Sequence, residues 1–474
     1  LLAGWYFLNW KKKFQLAQGY LIGMSLWFYA YANLQYLWLL LFSCLIGWLL
    51  SCVPEKISSE KGKKVLTGVG CVFHLGLLGY FKYSNFFLEN LNTVFHTDFP
   101  MLQILLPVGI SFYTFQQLAY LIDRCRGDAP RDSFFDYLTF MVYFPQLLQG
   151  PILLRSEFMG QLKEPERRRF HAERFSEGIQ FFVFGLAKKV LLADTLAKAV
   201  NYGYSNVSML DSISALLLAV GYLTELYFDF SGYCDMAVGL GKMIGLEVAE
   251  NFDAPFHSAS VKEFWRRWHM TLGRFFTRYV YIPLGGNRRG KMRTLCNVMI
   301  VMLLSGLWHG AAWTFVLWGF LHGVGMIWDN LEHPHLPKKW MRQAATFAYV
   351  CMTFVFFRAE SIAQGIDVLK SIVSLKWNGF VFQMASALDM TECYIITKAL
   401  SMKLPGLLSW FWLGIFVVLI AICFRVLSGE KVSGVVALQR QKGYGRLYPV
   451  LLAVLFTWSM ISMTGVSEYL YFSF

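Results

Sequence analysis

The chain has 474 residues, 56% of them hydrophobic, 18% aromatic and only 15% charged. A soluble protein carries roughly 25% charged residues, and a mean hydropathy of +0.45 excludes an ordinary water-soluble domain. The formal net charge of +13 does not signal nucleic acid, because Lys and Arg stand in short clusters between apolar blocks rather than on one phosphate-binding face.

Those apolar blocks approach the ~20 residues with which a helix crosses a ~30 Å hydrocarbon layer. Residues 1–8 are apolar but too short to span, and are read as the end of a first membrane helix that begins upstream. Spans are expected at 15–31, 34–53, 65–88 and 101–122, then a weaker run at 134–154 broken by Pro145, Gly150 and Pro151. Further spans are expected at 176–193, 211–228, 295–310, 311–328, 342–358, 407–427 and 447–465. Nine cysteines lie mostly in apolar runs without any CxxC pair, so neither a disulfide framework nor a zinc site is signalled.

Loop charges orient the chain, because Lys and Arg are retained on the cytoplasmic side. Lys11 to Lys13, Lys56 to Lys64 and Arg124 to Arg131 fall inside, whereas Ala32-Asn33 and 89–100 contain no Lys or Arg. The basic stretch 155–174 also belongs inside, so 134–154 is expected to enter and return on the same side. Such re-entrant backbone is tolerated only where protein or water covers it, which implies a cavity. The segment 360–404 then becomes an extracytoplasmic loop, as does the aromatic end Tyr469 to Phe474. No repeat or soluble domain is evident, and 1–474 reads as a single membrane domain.

Composition changes over 229–293, where Asp229, Asp235, Arg266, Arg267, His269, Arg274, Arg278, Arg288 and Arg289 are interleaved with Phe, Trp, Tyr and Gly. Val261 to Tyr281 reads as one helix, since Phe264, Trp268, Leu272 and Phe275 recur at helical spacing. Two readings stay open: a basic amphipathic helix lying on the membrane surface, or a cytoplasmic or re-entrant segment framing the entry to an embedded site. In the second, guanidinium groups bind phosphates or carboxylates of a substrate.

Ser305-Gly-Leu-Trp-His309-Gly-Ala-Ala-Trp313 places a histidine inside an apolar run. A lone histidine in such a run favours the reading of a residue hydrogen-bonded within a helix bundle, but ionisable groups at membrane depth are costly and usually functional. Gly306 and Gly310 let a ligand or a neighbouring backbone approach closely, and imidazole exchanges protons near neutral pH. His322 ranks lower, without a glycine-flanked break, and His333 and His335 beside Pro334 read as turn residues rather than a metal pair.

Six ordered motifs resemble the membrane-bound O-acyltransferase (MBOAT) family: Phe144 to Ile152, Tyr227 to Ala237, Phe264 to Leu272, Tyr281 to Arg288, Gly306 to Trp313 and Phe354 to Glu360. Ile282-Pro-Leu-Gly-Gly-Asn-Arg288 is most similar to the alginate O-acetylation branch, with the teichoic-acid D-alanylation branch as near neighbour. The resemblance implies an all-α polytopic fold of about 11–13 transmembrane or re-entrant helices ringed around a thin centre, with a cytoplasmic and an extracytoplasmic funnel. It implies His309 and His269 as catalytic residues, with Arg266, Arg267, Trp265, Trp308 and Asp229 as candidate substrate-binding residues. Gln149 stands where a smaller residue is expected, leaving the role of that loop open.

The implied reaction moves an acyl group, acetyl above all, from a cytoplasmic thioester to a hydroxyl of an extracytoplasmic polysaccharide. His309 is the general base or, alternatively, a nucleophile passing through an acyl-imidazole. The thioester (acetyl-CoA or acyl carrier protein) is a substrate, and no bound cofactor, metal or nucleic acid is expected. Implied partners are membrane lipids and an extracytoplasmic SGNH-hydrolase-like acetyltransferase, at a bacterial cell membrane. A teichoic-acid D-alanyl transfer protein, a lipid acyltransferase of the same fold and a transporter are the alternatives, the last lacking a visible inverted repeat.

Overall fold

The computed structural model describes residues 1–331, 337–427, 431–442, 445 and 447–463. Among these the regular elements are helical, and five runs are long and apolar enough to cross a membrane: Leu34–Lys56, Glu60–Phe95, Ser212–Ile244, Lys291–His309 and Pro405–Leu427. His333, His335 and the aromatic end 469–474 lie outside the described residues. The chain divides into two compact units.

The first unit comprises Leu1–Phe182, Met236–Glu250 and Thr277–Tyr279. Its helix Ile110–Arg126 starts later than the expected span at 101–122. Pro107 precedes it, and Gly109 turns the chain at φ 75°, where a Cβ would lie 2.5 Å from the Leu147 carbonyl oxygen. The expected weak run at 134–154 is broken into helices Phe134–Val142 and Phe144–Leu147, followed by non-helical backbone over 150–154. Side-chain amides serve the interruption: Gln146 Nε2 and Gln116 Nε2 donate to the Phe140 carbonyl at 2.6 and 3.0 Å. Buried backbone that leaves a helix must find such partners.

Several of the charges that read as topology determinants are neutralised within this unit. Asp132 meets Arg155 at 2.6 Å and Lys163 at 3.3 Å, Glu55 meets Arg124 at 2.8 Å, and Asp123 meets Arg278 at 3.0 Å.

The second unit comprises Val183–Asp235, Asn251–Phe276 and Val280–Phe474. The helix Ser212–Ile244 has 33 residues and runs through the point at Asp229 where the expected span ends. Two of its acidic residues are carried by partners: Asp229 meets Lys189 at 2.5 Å and Asp235 meets Lys188 at 2.6 Å. Both lysines sit on a π-helical turn, Lys188–Ala193, which turns two consecutive side chains toward one neighbouring helix. Around them lies an aromatic core that includes Phe228, Phe230, Trp268, Trp318 and Phe354. The segment expected as an outer loop, 360–404, is folded into short helices Ile362–Val373, Phe380–Ser386 and Tyr394–Lys403.

A tight hairpin carries the glycine motif. Lys291–His309 packs against Trp313–Asn330, and a Cβ on Gly306 would lie 2.3 Å from the Phe315 carbonyl oxygen, one on Gly319 2.5 Å from that of Met302. Small residues at a membrane helix interface let backbones approach in this way. Of the two openings that Gly306 offered in the sequence, the neighbouring backbone takes it. Gly306→Val is expected to push the hairpin apart at a cost of about 1–3 kcal/mol, read as a lower thermal midpoint in detergent. Gly76→Ala, where an added Cβ meets nothing within 4 Å, should leave the midpoint unchanged or raised; equal losses would contradict the packing account.

Candidate active site

The helix read over 261–281 is interrupted. Ser260 starts it, its Oγ accepting from the Glu263 N–H, and the helix runs only to Arg267 before a second begins at Met270. Between them His269 takes the left-handed conformation, φ 44°, which costs a non-glycine residue of order 1 kcal/mol or more. The break is held by Asn251. Its carbonyl accepts from Met270 N at 3.0 Å, and its side-chain Oδ1 accepts from Thr271 N at 3.1 Å and Thr271 Oγ1 at 2.9 Å. The same oxygen lies 3.1 Å from His269 Nδ1, while Asn251 Nδ2 donates to Cys234 Sγ at 3.4 Å.

His269 is fully buried, its ring 4.8 Å from that of Phe230 in an edge-on contact. It lies between two seven-residue helices rather than in a long span, and burial pushes its imidazole down to about 3, because a charged ring loses its hydration there. The ring is therefore neutral near pH 7.

His309 is the last residue of its helix, and Gly310 leaves it in extended conformation. Its imidazole, 4% exposed, sits in a nest of rings: Trp308 at 4.9 Å, Phe357 at 5.1 Å and Trp318 at 5.2 Å between centroids. The ring of His269 lies 6.4 Å away. Two histidines from separate motifs are thus brought together inside an aromatic wall, their rings tilted by 55°.

His322 is differently placed. Its Nδ1 accepts from Trp265 Nε1 at 3.2 Å, and an indole N–H can only donate. Its Nε2 therefore carries the hydrogen and donates to Thr353 Oγ1 at 2.9 Å, which donates onward to the Val350 carbonyl at 2.8 Å. Both nitrogens are engaged in holding helices together.

Among the other candidates, Trp265 is the donor to His322 and Trp308 packs edge-on against His309. Asp229 is buried beside Lys189, which also meets Asp194 at 2.7 Å. Arg267 pairs with Glu263 at 3.0 Å, and Arg266 is exposed. Sequence reading did not single out Asn251, Trp318 or Phe357 as site residues, nor Thr271 as a donor to Asn251. Only Phe357 and Thr271 lie within noted motifs, and nothing in the sequence around Asn251 points to a histidine 18 residues on. His322→Leu should lower the thermal midpoint in detergent by an amount worth about 1–3 kcal/mol, since it leaves the partly buried Trp265 donor and the buried Thr353 hydroxyl without their shared partner. Thr353→Val, which removes one bond of the pair, should cost less; no loss from His322→Leu would contradict the structural role.

A family model described as membrane-bound O-acyltransferase matches residues 126–365. The chain is 36% identical to the peptidoglycan O-acetyltransferase of Helicobacter pylori over 75% of its own length and 73% of that protein's. It is 41% identical to the probable alginate O-acetylase AlgI of Pseudomonas putida over 63% of the chain and 62% of the relative. Against the teichoic acid D-alanyltransferase of Streptococcus thermophilus the identity is 28% over 50% of the chain and 58% of the relative. The family match spans both histidine motifs and two of the five long apolar runs, and the chain belongs to the membrane-bound O-acyltransferase family as a multi-pass membrane acyltransferase.

Proposed function

We propose that this acyltransferase moves an acetyl group from a cytoplasmic thioester to a hydroxyl of an extracytoplasmic polysaccharide at a bacterial cell membrane, directly or by way of a separate SGNH-hydrolase-like transferase. The observation that carries the reading is the pair of buried histidines, His269 and His309, with ring centroids 6.4 Å apart inside an aromatic nest. That separation is longer than two directly hydrogen-bonded imidazoles would have and suits two rings flanking one oxygen atom. The O-acetyl relatives, at 36% and 41% identity, resemble the chain more than the D-alanyl relative at 28%, which supports acetyl over an aminoacyl group.

In this mechanism His309 takes the proton of the attacking hydroxyl as its oxygen bonds to the thioester carbonyl carbon. The C–S bond then breaks, and the proton passes from the imidazolium to the departing thiolate, so that ester and thiol leave and the histidine returns to its starting state. A thioester carbonyl is already electrophilic, and the protein's main contributions are alignment and proton transfer. The donor enters as acetyl-CoA or an acylated carrier protein. Arg266, exposed on the short helix that leads to His269, is the residue most available to its phosphates, with Arg267 partly committed to Glu263. Trp265, Trp308 and Asp229 act through the walls of the site.

Radiolabelled acetyl-CoA and membrane vesicles carrying the cell's own polysaccharide test the assignment. His309→Ala, expressed and folded, is expected to lose about 10²–10⁴-fold in transfer; wild-type transfer by this variant would sink the role of His309. In a single turnover without polysaccharide, no label should remain on the protein. Label retained by wild type and absent from His309→Ala would make His309 a nucleophile instead of a base.

A further inference from the structure

The hydrogen bonds around Asn251 determine which nitrogen of His269 faces the chemistry. A backbone N–H can only donate, so the atom of Asn251 that receives Thr271 N at 3.1 Å is the carboxamide oxygen. The opposite atom, Nδ2, is accordingly the one that donates to Cys234 Sγ. An oxygen that already accepts from Thr271 N and Thr271 Oγ1 has nothing to donate to the ring. At 3.1 Å from that oxygen, His269 Nδ1 must carry the hydrogen, and in a neutral imidazole Nε2 is then the lone-pair nitrogen.

We propose that Asn251 is a positioning residue that locks His269 as the Nδ1–H tautomer, so that His269 engages the hydroxyl-bearing acceptor only by receiving a hydrogen bond at Nε2. The proposal deepens the acyl-transfer reading and rests on it for the identity of the acceptor. It bears on two tasks that a buried histidine beside His309 can perform, stabilising the oxyanion or orienting the acceptor. Stabilising the oxyanion that develops on the thioester carbonyl needs an N–H, and the ring's hydrogen is committed to Asn251. Orienting the acceptor needs a lone pair, which Nε2 supplies. The strained backbone supports the same assignment: a left-handed φ of 44° is maintained where two backbone amides, a hydroxyl and the imidazole all converge on one asparagine. Groups that orient a functional histidine through its second nitrogen govern tautomer and ring direction in this way.

Solid-state NMR of ¹⁵N-histidine-labelled protein in lipid bilayers, with His269 resonances identified by their loss in His269→Gln, reads the tautomer directly. The expected result is a neutral His269 protonated at Nδ1 in wild type, and loss of that preference in Asn251→Leu. Protonation at Nε2 in wild type would overturn the proposal whatever the activity. In the vesicle assay with radiolabelled acetyl-CoA, Asn251→Leu should lower transfer about 10–100-fold. Thr271→Val removes a donor to the same oxygen without touching the ring and should stay within a few-fold of wild type; a loss as large as that of Asn251→Leu would reduce Asn251 to a structural role and overturn the proposal. Asn251→Asp keeps an acceptor for Nδ1–H and adds a charge that favours the protonated ring. It should therefore retain much of the activity while the acidic limb of the pH–rate profile moves to higher pH; an unmoved limb would contradict the contact with His269. Failure of His309→Ala to impair transfer would defeat the acyl-transfer assignment instead, and leaves the tautomer measurement to decide this one.

Discussion

Backbone amides released from a helix inside an apolar protein need acceptors, and Asn251 supplies them at the one place where the site requires a break. Its carbonyl and its carboxamide oxygen receive the N–H groups of Met270 and Thr271, the amides that a continuous helix would have bonded to residues four positions earlier. The second of the two residues between the short helices, His269, is thereby turned into a left-handed conformation and buried against Phe230. Without that side chain the local pattern of apolar residues would favour an unbroken helix, and His269 would follow the helical direction instead.

The same logic governs the rest of the second unit. Several polar groups at depth are held by specific partners: Asp229 and Asp235 on the long helix face consecutive lysines of a π-helical turn, and His322 links Trp265 to Thr353. Removing one member of a buried charge pair typically costs about 3–5 kcal/mol, so these contacts constrain which helices can be neighbours. The glycine hairpin adds a steric constraint, Gly306 and Gly319 allowing backbone carbonyls within the reach of a Cβ. His309 ends that hairpin's first helix, and its position is set by packing more than by any loop.

Much of this was legible in the sequence, and the limits of legibility have physical causes. Apolar block length reports membrane spans directly, because hydrocarbon thickness fixes it, and the expected spans 342–358 and 407–427 fall close to the helices Lys339–Arg358 and Pro405–Leu427. The long helix was read as ending near Asp229 since charges in an apolar run look like a boundary. The lysines that cancel them lie some 40 residues away in sequence. The helix over 261–281 was read as continuous because Phe264, Trp268, Leu272 and Phe275 keep helical spacing across the interruption; what breaks it is a side chain from outside the window. The motifs single out His309 and His269, whose rings lie 6.4 Å apart, and place His322, both of whose nitrogens are hydrogen-bonded, lower. Asn251 carried no local signal at all, since an asparagine's value as an acceptor depends entirely on which donors the fold brings to it.

The proposed acyl transfer takes place between His269 and His309. A cryo-EM structure of the protein in lipid with a non-hydrolysable acetyl-thioester analogue of CoA tests it most directly. The account predicts the carbonyl carbon of the analogue beside the His309 imidazole, close enough that one hydroxyl oxygen fits between that carbon and both rings, with reacting atoms about 3–3.5 Å apart. An analogue bound with its carbonyl outside the aromatic nest, separated from His309 by Trp308 or Trp318, would contradict it.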